Sequence, residues 1–205
     1  MFFYNEIPLI ILENGKKRTF RKNHNIYKIN SKITHCYFIL SGTVKIYIDH
    51  KNGRRSILDF VGASDWLGEL SLFCDESDIK ENKVQDVECL EFDIDKLQTI
   101  CRENAELSFY FASYISSKLL TRSYRMSENL NYSLENRLAT FILQHQQKGV
   151  YNINHTDVSE YMNVSYRHVL YVIKEFCENG ILSKDKGKGY IILDMENLRQ
   201  LREEK

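Results

Sequence analysis

Tyr166, Arg167, Leu170, Tyr171 and Lys174 fall on one face of a helical pattern, and Val169, Val172, Ile173 and Phe176 fall on the other. The first set suits the reading of a polyanion. The guanidinium of Arg167 can pair bidentately with O6 and N7 of guanine. Tyr166 and Tyr171 can meet phosphates or thymine methyl groups, while Lys174 and His168 suit phosphate. Lys184, Lys186 and Lys188 follow at alternate positions and add positive charge where a nucleic-acid backbone would lie. Charges across 151–193 nearly cancel. Binding of this kind therefore rests on a local patch and on spacing, not on bulk charge.

Local signals define the elements that position these groups. Asn154-His155-Thr156-Asp157 opens a short helix in a capping-box arrangement, with Val158 and Met162 facing inward. Ser159 supplies the small side chain needed where two helices cross. Asn163-Val164-Ser165 forms the turn, because Asn tolerates a positive φ and Ser165 is a good cap for a second helix over 166–177. Gly180 ends that helix, and 181–194 reads as a hairpin tipped by Lys186-Gly187-Lys188-Gly189. This is the pattern of a winged helix-turn-helix, whose second helix can enter a DNA major groove.

Upstream, the first half of the chain is strand-like, with apolar runs at 26–29, 36–40, 44–48, 56–60 and 87–92. Val44, Ile46 and Ile48 alternate with polar positions, as in a half-buried strand. Ser41-Gly42 and Lys51-Asn52-Gly53 are turn signals. Many short strands at this spacing indicate a jelly roll or sandwich. The period then changes. No glycine or proline interrupts 95–130, and Leu107, Phe111, Tyr114 (or Ile115) and Lys118/Leu119 recur at three and four. The spacing predicts a helix over about 104–129, long enough to act as a spacer. Its stripe, read as Leu107, Phe111, Tyr114 and Leu119, is expected to form a dimer seam; packing on its own β-domain is the alternative. A further helix over 134–146 is capped by Ser133, buries Leu138, Phe141, Ile142 and His145, and is closed by Gly149. A short helix over 195–205 ends the chain. The α+β organisation expected is a β-domain at 1–103, a long helix at 104–130 and a helix-turn-helix domain at 131–205.

Composition narrows the class. The chain has 205 residues, 43% hydrophobic, with formal net charge +0. No apolar run approaches the roughly 20 residues of a membrane helix, and 1–6 lacks the layout of a secretion signal. A cytoplasmic protein with no membrane partner is expected. Five cysteines without a C-x-x-C pair favour free thiols. His24, His35 and His50 are scattered, with no H-x-H pair, so a metal-dependent cupin-type enzyme lacks its ligands. No nucleophile–base constellation stands out. Catalytic residues, metal ligands and a cofactor are not expected.

Three stretches resemble the CRP/FNR superfamily of bacterial transcription regulators. They are 36–45 (CYFILSGTVK), 62–73 (GASDWLGELSLF, similar to the family's G-x-x-G-E-L-x-L-F signature) and 158–173 (VSEYMNVSYRHVLYVI, similar to its recognition segment). The resemblance covers nearly the whole chain. It implies an N-terminal double-stranded β-helix of the cyclic-nucleotide-binding type, a long dimerisation helix and a C-terminal winged helix. It also implies a homodimer on a palindromic site in double-stranded DNA, controlled by an effector and acting on RNA polymerase. By position, Tyr166, Arg167 and Tyr171 fall where the family reads bases, commonly with Arg, Glu and Arg. The half-site should differ accordingly.

Gly68, Glu69 and Leu70 fall at the effector-binding part of the signature. In cyclic-nucleotide members Gly-Glu holds the ribose, and an Arg-Ser pair about ten residues later clamps the phosphate. Here the clamp region is CDESDIKENK over 74–83, with no arginine, and Ser77-Asp78 stands near the pair's position. An acid there repels phosphate, and Lys80 or Lys83 offers only a point charge. Cyclic AMP is therefore not the expected effector, which is left unidentified. Without it, Gly68 and Glu69 would serve a tight turn and a local capping carboxylate. No cysteine precedes Cys36, which argues against an iron–sulfur cluster, and Cys74 is a candidate redox thiol. A regulatory module that has lost DNA binding is the remaining alternative.

Overall fold

The alternating run at 44–48 becomes the middle strand of a three-stranded sheet in the computed structural model, which describes residues 8–22, 24–27, 32–74, 80–83, 86–185 and 189–203. That strand, β3 (Val44–Asp49), lies antiparallel between β4 (Arg55–Val61) and β6 (Lys80–Lys83). A second sheet has the order β1 (Lys16–Phe20), β7 (Val87–Asp93), β2 (His35–Ser41) and β5 (Trp66–Leu67), again antiparallel. Side chains from both sheets, among them Ile39, Val44, Ile46, Val61, Trp66, Leu90 and Phe92, share one buried core. Each such side chain stabilises the unit by roughly 1.5–3 kcal/mol. Three helices accompany these sheets: α1 (Leu9–Asn14), α2 (Ile94–Glu103) and the start of α3 (Ala105–Asn131).

The strand expected at 26–29 does not form at Ile26 and Tyr27, which lie in a bend, and its second half is outside the described residues. Tyr27 instead turns inward and is buried. Asp93 caps α2 by accepting from the Lys96 N–H at 3.0 Å, and Asn104 starts α3 by accepting from the Leu107 N–H at 2.9 Å.

The chain divides into two compact units, 1–121 and 122–205, and the division falls within α3. Residues of a helix advance by about 100° each, so α3 presents two opposite faces. The inner one carries Leu107, Tyr110, Phe111 and Tyr114, all buried in the core of the first unit. This corrects the expected seam. Leu107 and Phe111 are 1% and 0% exposed and Tyr114 is 9%, so they pack on their own β-unit and have no surface for a partner. Leu119 lies on the other face, with Phe109, Leu120, Tyr124, Met126 and Leu130, and these are 55% to 79% exposed.

The second unit contains α4 (Leu134–His145), α5 (His155–Met162), α6 (Tyr166–Glu178), α7 (Met195–Glu203) and a sheet of order β8 (Val150–Tyr151), β10 (Tyr190–Ile192) and β9 (Leu182–Lys184). Ser133 caps α4 through the Asn136 N–H. Leu138, Phe141 and Ile142 are buried, and His145 stacks on Phe141 with centroids 4.0 Å apart. The helix ends at His145, earlier than expected, and Gly149 serves the turn into β8 with φ +79. Asn136 donates to the Leu201 carbonyl at 2.6 Å and ties α7 to α4.

Candidate nucleic-acid interface

Several local signals of the helix-turn-helix have counterparts in the second unit. Asn154 caps α5 by accepting from the Thr156 N–H at 2.9 Å, and Ser159 is buried and donates to the Thr156 carbonyl at 2.8 Å. Asn163 adopts φ 55, ψ 44, the left-handed conformation that reverses the chain. Ser165 caps α6 by accepting from the His168 N–H at 3.2 Å. Val169, Val172, Ile173 and Phe176 are buried, and Gly180 follows α6 with φ +72.

That packing leaves one face of α6 open. Tyr166, Arg167, His168, Leu170, Tyr171 and Lys174 are all exposed, as is Lys184 at the end of β9. Lys186 and Lys188 lie outside the described residues. Lys174 pairs with Glu178 at 3.4 Å, and the Tyr171 hydroxyl is held above its ordinary pKa first by its hydrogen bond to Glu175. Carboxylates thus accompany the basic and phenolic groups of this helix. β8, a third strand beside the hairpin, was not legible, since Val150–Tyr151 is two residues long. The buried Tyr151 ring faces His155, with centroids 6.4 Å apart, and Tyr190 lies 5.5 Å from that imidazole. Burial lowers the His155 pKa from its ordinary value.

In the first unit, Gly68 has φ 79 and begins a 3-10 turn, Glu69–Leu72. A Cβ at Gly68 would stand 2.1 Å from the Tyr27 hydroxyl oxygen, so both conformation and space require glycine there. Tyr27 donates toward the carbonyls of His35 at 2.8 Å and Leu67 at 3.2 Å. Glu69 is not a local cap. It is 5% exposed, and its partner is Lys118 of α3, whose Nζ donates to Glu69 Oε1 at 3.1 Å and to the Trp66 carbonyl at 3.2 Å. The apolar period that reached Lys118 is therefore continued by a charge, neutralised from the other side.

A polar network adjoins this pair through the Trp66 carbonyl. Tyr114 accepts from the Trp66 N–H at 2.8 Å and donates to Asp65 Oδ1 at 3.2 Å, and the Trp66 indole donates to the Tyr110 hydroxyl at 3.0 Å. Burial, then the charges of Asp65 and Glu69, raise the Tyr114 pKa and keep its hydroxyl protonated. Lys118, Tyr110 and Tyr114 went unnoticed as polar partners because their contacts lie 44 to 52 positions away. Leu70 is half-buried beside the pair in sequence. Ser77 and Asp78 lie outside the described residues, as do the side chains of Lys80 and Lys83. Cys74 is an exposed free thiol whose Sγ lies 3.4 Å from the Leu70 carbonyl, whereas burial raises the pKa of Cys36. Among the described residues no group of three His, Cys, Asp or Glu is gathered as for a metal, and no helix is long and apolar enough to cross a membrane.

An antiparallel β-roll, a long helix and a winged helix-turn-helix define a class of DNA-binding regulators. The cyclic nucleotide-binding domain model matches residues 17–104, and the Crp-like helix-turn-helix domain model matches 136–201. The regulatory protein YeiL of Escherichia coli O157:H7 is 32% identical over 168 residues, covering 80% of this chain and 75% of that protein. A CRP-like cAMP-activated global transcriptional regulator of Mycobacterium tuberculosis is 23% identical over 190 residues, covering 87% and 84%. Among solved structures, FixK2 of Bradyrhizobium japonicum superposes with a TM-score of 0.80 at 17% identity, covering 91% of this chain and 96% of that one. The chain belongs to the CRP/FNR family of transcription regulators.

Proposed function

We propose that this protein is a homodimer that binds an inverted repeat in double-stranded DNA and regulates transcription there through RNA polymerase, under control of a signal received by the β-roll. The observation that carries this reading is the open face of α6. Tyr166, Arg167 and Tyr171 stand clear of the unit, on a helix fixed by Ser165 and by a buried opposite stripe. Arg167 reads a base, Tyr166 and Tyr171 flank it, and His168, Lys174, Lys184, Lys186 and Lys188 serve the backbone, with Ser165 at the helix entry. The outer face of α3, with Leu119, Leu120, Tyr124, Met126 and Leu130, supplies the dimer seam in place of the inner residues. The signal is not cyclic AMP, since 74–83 holds no arginine to clamp a phosphate. Glu69, between Gly68 and Leu70, links the roll to α3 through Lys118.

Selection of random duplexes by the purified full-length protein tests the reading. An enriched inverted repeat, bound with the same Kd in the presence and absence of millimolar cyclic AMP, is expected. Absence of any enriched repeat sinks DNA recognition, and a cyclic-AMP-dependent gain in affinity sinks the assignment of the sensor.

A further inference from the structure

The last turns of α3, from Arg122 on, belong to the second unit, where two arginines fasten them to the helix-turn-helix. Arg137 of α4 donates from Nη1 to Asn129 Oδ1 at 2.7 Å and to the Met162 carbonyl at 3.1 Å, and from Nε toward the Ser133 carbonyl at 3.4 Å. One planar guanidinium thus holds the end of α3, the start of α4 and the end of α5. Met162 is buried, and Asn163, the left-handed turn residue, comes next. A second fastening lies one turn back along α3, where the Arg125 guanidinium sits 4.7 Å from the centroid of the Tyr161 ring of α5. Arg125 and Asn129 share one face of α3, and the exposed Tyr124, Met126 and Leu130 point elsewhere around the same turns. The stretch that carries Tyr124, Met126 and Leu130 is therefore the stretch to which the helix-turn-helix is bolted.

We infer that Arg137, through Asn129 and the Met162 carbonyl, is a positioning residue that fixes the recognition helix against the end of α3 and so sets the half-site spacing the dimer accepts. The inference rests on the proposed homodimer and inverted repeat. Arg137 touches no DNA in this scheme. Two recognition helices can discriminate spacing only if each is held rigidly to the shared seam. Each inserted base pair rotates one half-site by about 35° relative to the other, because a turn of DNA holds about 10 base pairs. A loosened clamp lets the helix follow that rotation, whereas the reading side chains on α6 are unchanged.

The test uses the full-length protein on its selected repeat, on the same repeat with one and two base pairs added to or removed from the spacer, and on a single half-site. The wild type is expected to lose tenfold or more in affinity for each one-base-pair change. Arg137→Met is expected to flatten that difference to threefold or less while half-site affinity stays within twofold. Asn129→Leu, at an exposed position, should do the same if Arg137→Met fails to fold. Asn129→Asp keeps an acceptor for the guanidinium and should retain the wild-type spacing profile. A wild type that binds no repeat ends the proposed function itself. A wild type that discriminates spacing, with Arg137→Met or Asn129→Leu discriminating equally, overturns only the role of the clamp. Half-site affinity that falls in parallel with the full site would show a merely structural part for Arg137 and overturn it too.

Discussion

Glu69 and Arg167 are charged side chains at the centre of their units' signatures, and they meet opposite surroundings. Glu69 is 5% exposed and paired with Lys118, which also donates to the Trp66 carbonyl. Arg167 is exposed on one face of α6. The contrast separates two uses of charge. In the first unit charge is consumed internally and locks the signature turn to α3. At Arg167 of the second unit the charge faces solvent. The energetic consequences differ as well, because removing one member of a buried pair strands the other, whereas removing an exposed arginine strands nothing.

The largest effect should therefore come from Lys118→Met, which leaves the Glu69 carboxylate buried without its cation. A loss of about 3–5 kcal/mol is expected. It is measurable by denaturant unfolding followed through Trp66, the one tryptophan of the chain, which lies at the pair. Adding Glu69→Gln should recover most of it, and a single-variant loss below about 1 kcal/mol would place the pair among ordinary surface bridges. Next is Arg167→Ala, expected to cost about 1–3 kcal/mol on the selected repeat while leaving the unfolding midpoint in place. Equal weakening on unrelated duplexes would make Arg167 a phosphate contact. Ser165→Ala removes the α6 cap and should lower the stability of the second unit by about 1 kcal/mol by circular dichroism. No change there would mean that solvent satisfies the His168 N–H equally well.

The smallest effect concerns pH. Burial depresses the folded-state pKa of His155 below its ordinary value of 6.5. The neutral ring is favoured in the fold, so this contribution is complete above pH 6.5 and is lost as pH falls through the lower folded value. The difference in stability between wild type and His155→Gln should shrink against the wild type on going from pH 7.5 to pH 5. A change in the opposite sense would show that the Tyr151 and Tyr190 rings stabilise the imidazolium more than burial penalises it.

What could be read from the residues follows the range of the forces. The caps Asn154, Ser165 and Ser133, the turn at Asn163 and the stop at Gly180 act within three or four residues, and each appears where its type places it. The exposed face of α6 followed, because an apolar stripe at 169, 172, 173 and 176 fixes the opposite side. β1 and β6 were missed because Lys16–Phe20 and Lys80–Lys83 are mostly polar and gain their pairing only from β7 and β3. The two-faced nature of α3 was half legible. Its periodicity was plain, but which stripe would meet the β-unit depends on Trp66, Phe92 and Phe38, all distant in the chain. Lys118 as the partner of Glu69 and Arg137 as the partner of the Met162 carbonyl were invisible for the same reason, since these contacts span 49 and 25 positions.

A lysine already paired with a carboxylate displaces fewer counterions than a free one when it meets a phosphate backbone. Lys174 is matched by Glu178, and Glu175 sits within reach of Tyr171. On random DNA, which attracts proteins almost wholly through released ions, Lys174 should therefore add less than an unpaired lysine. A slope of log Kd against log salt that Lys174→Met barely changes is the measurable form of that property.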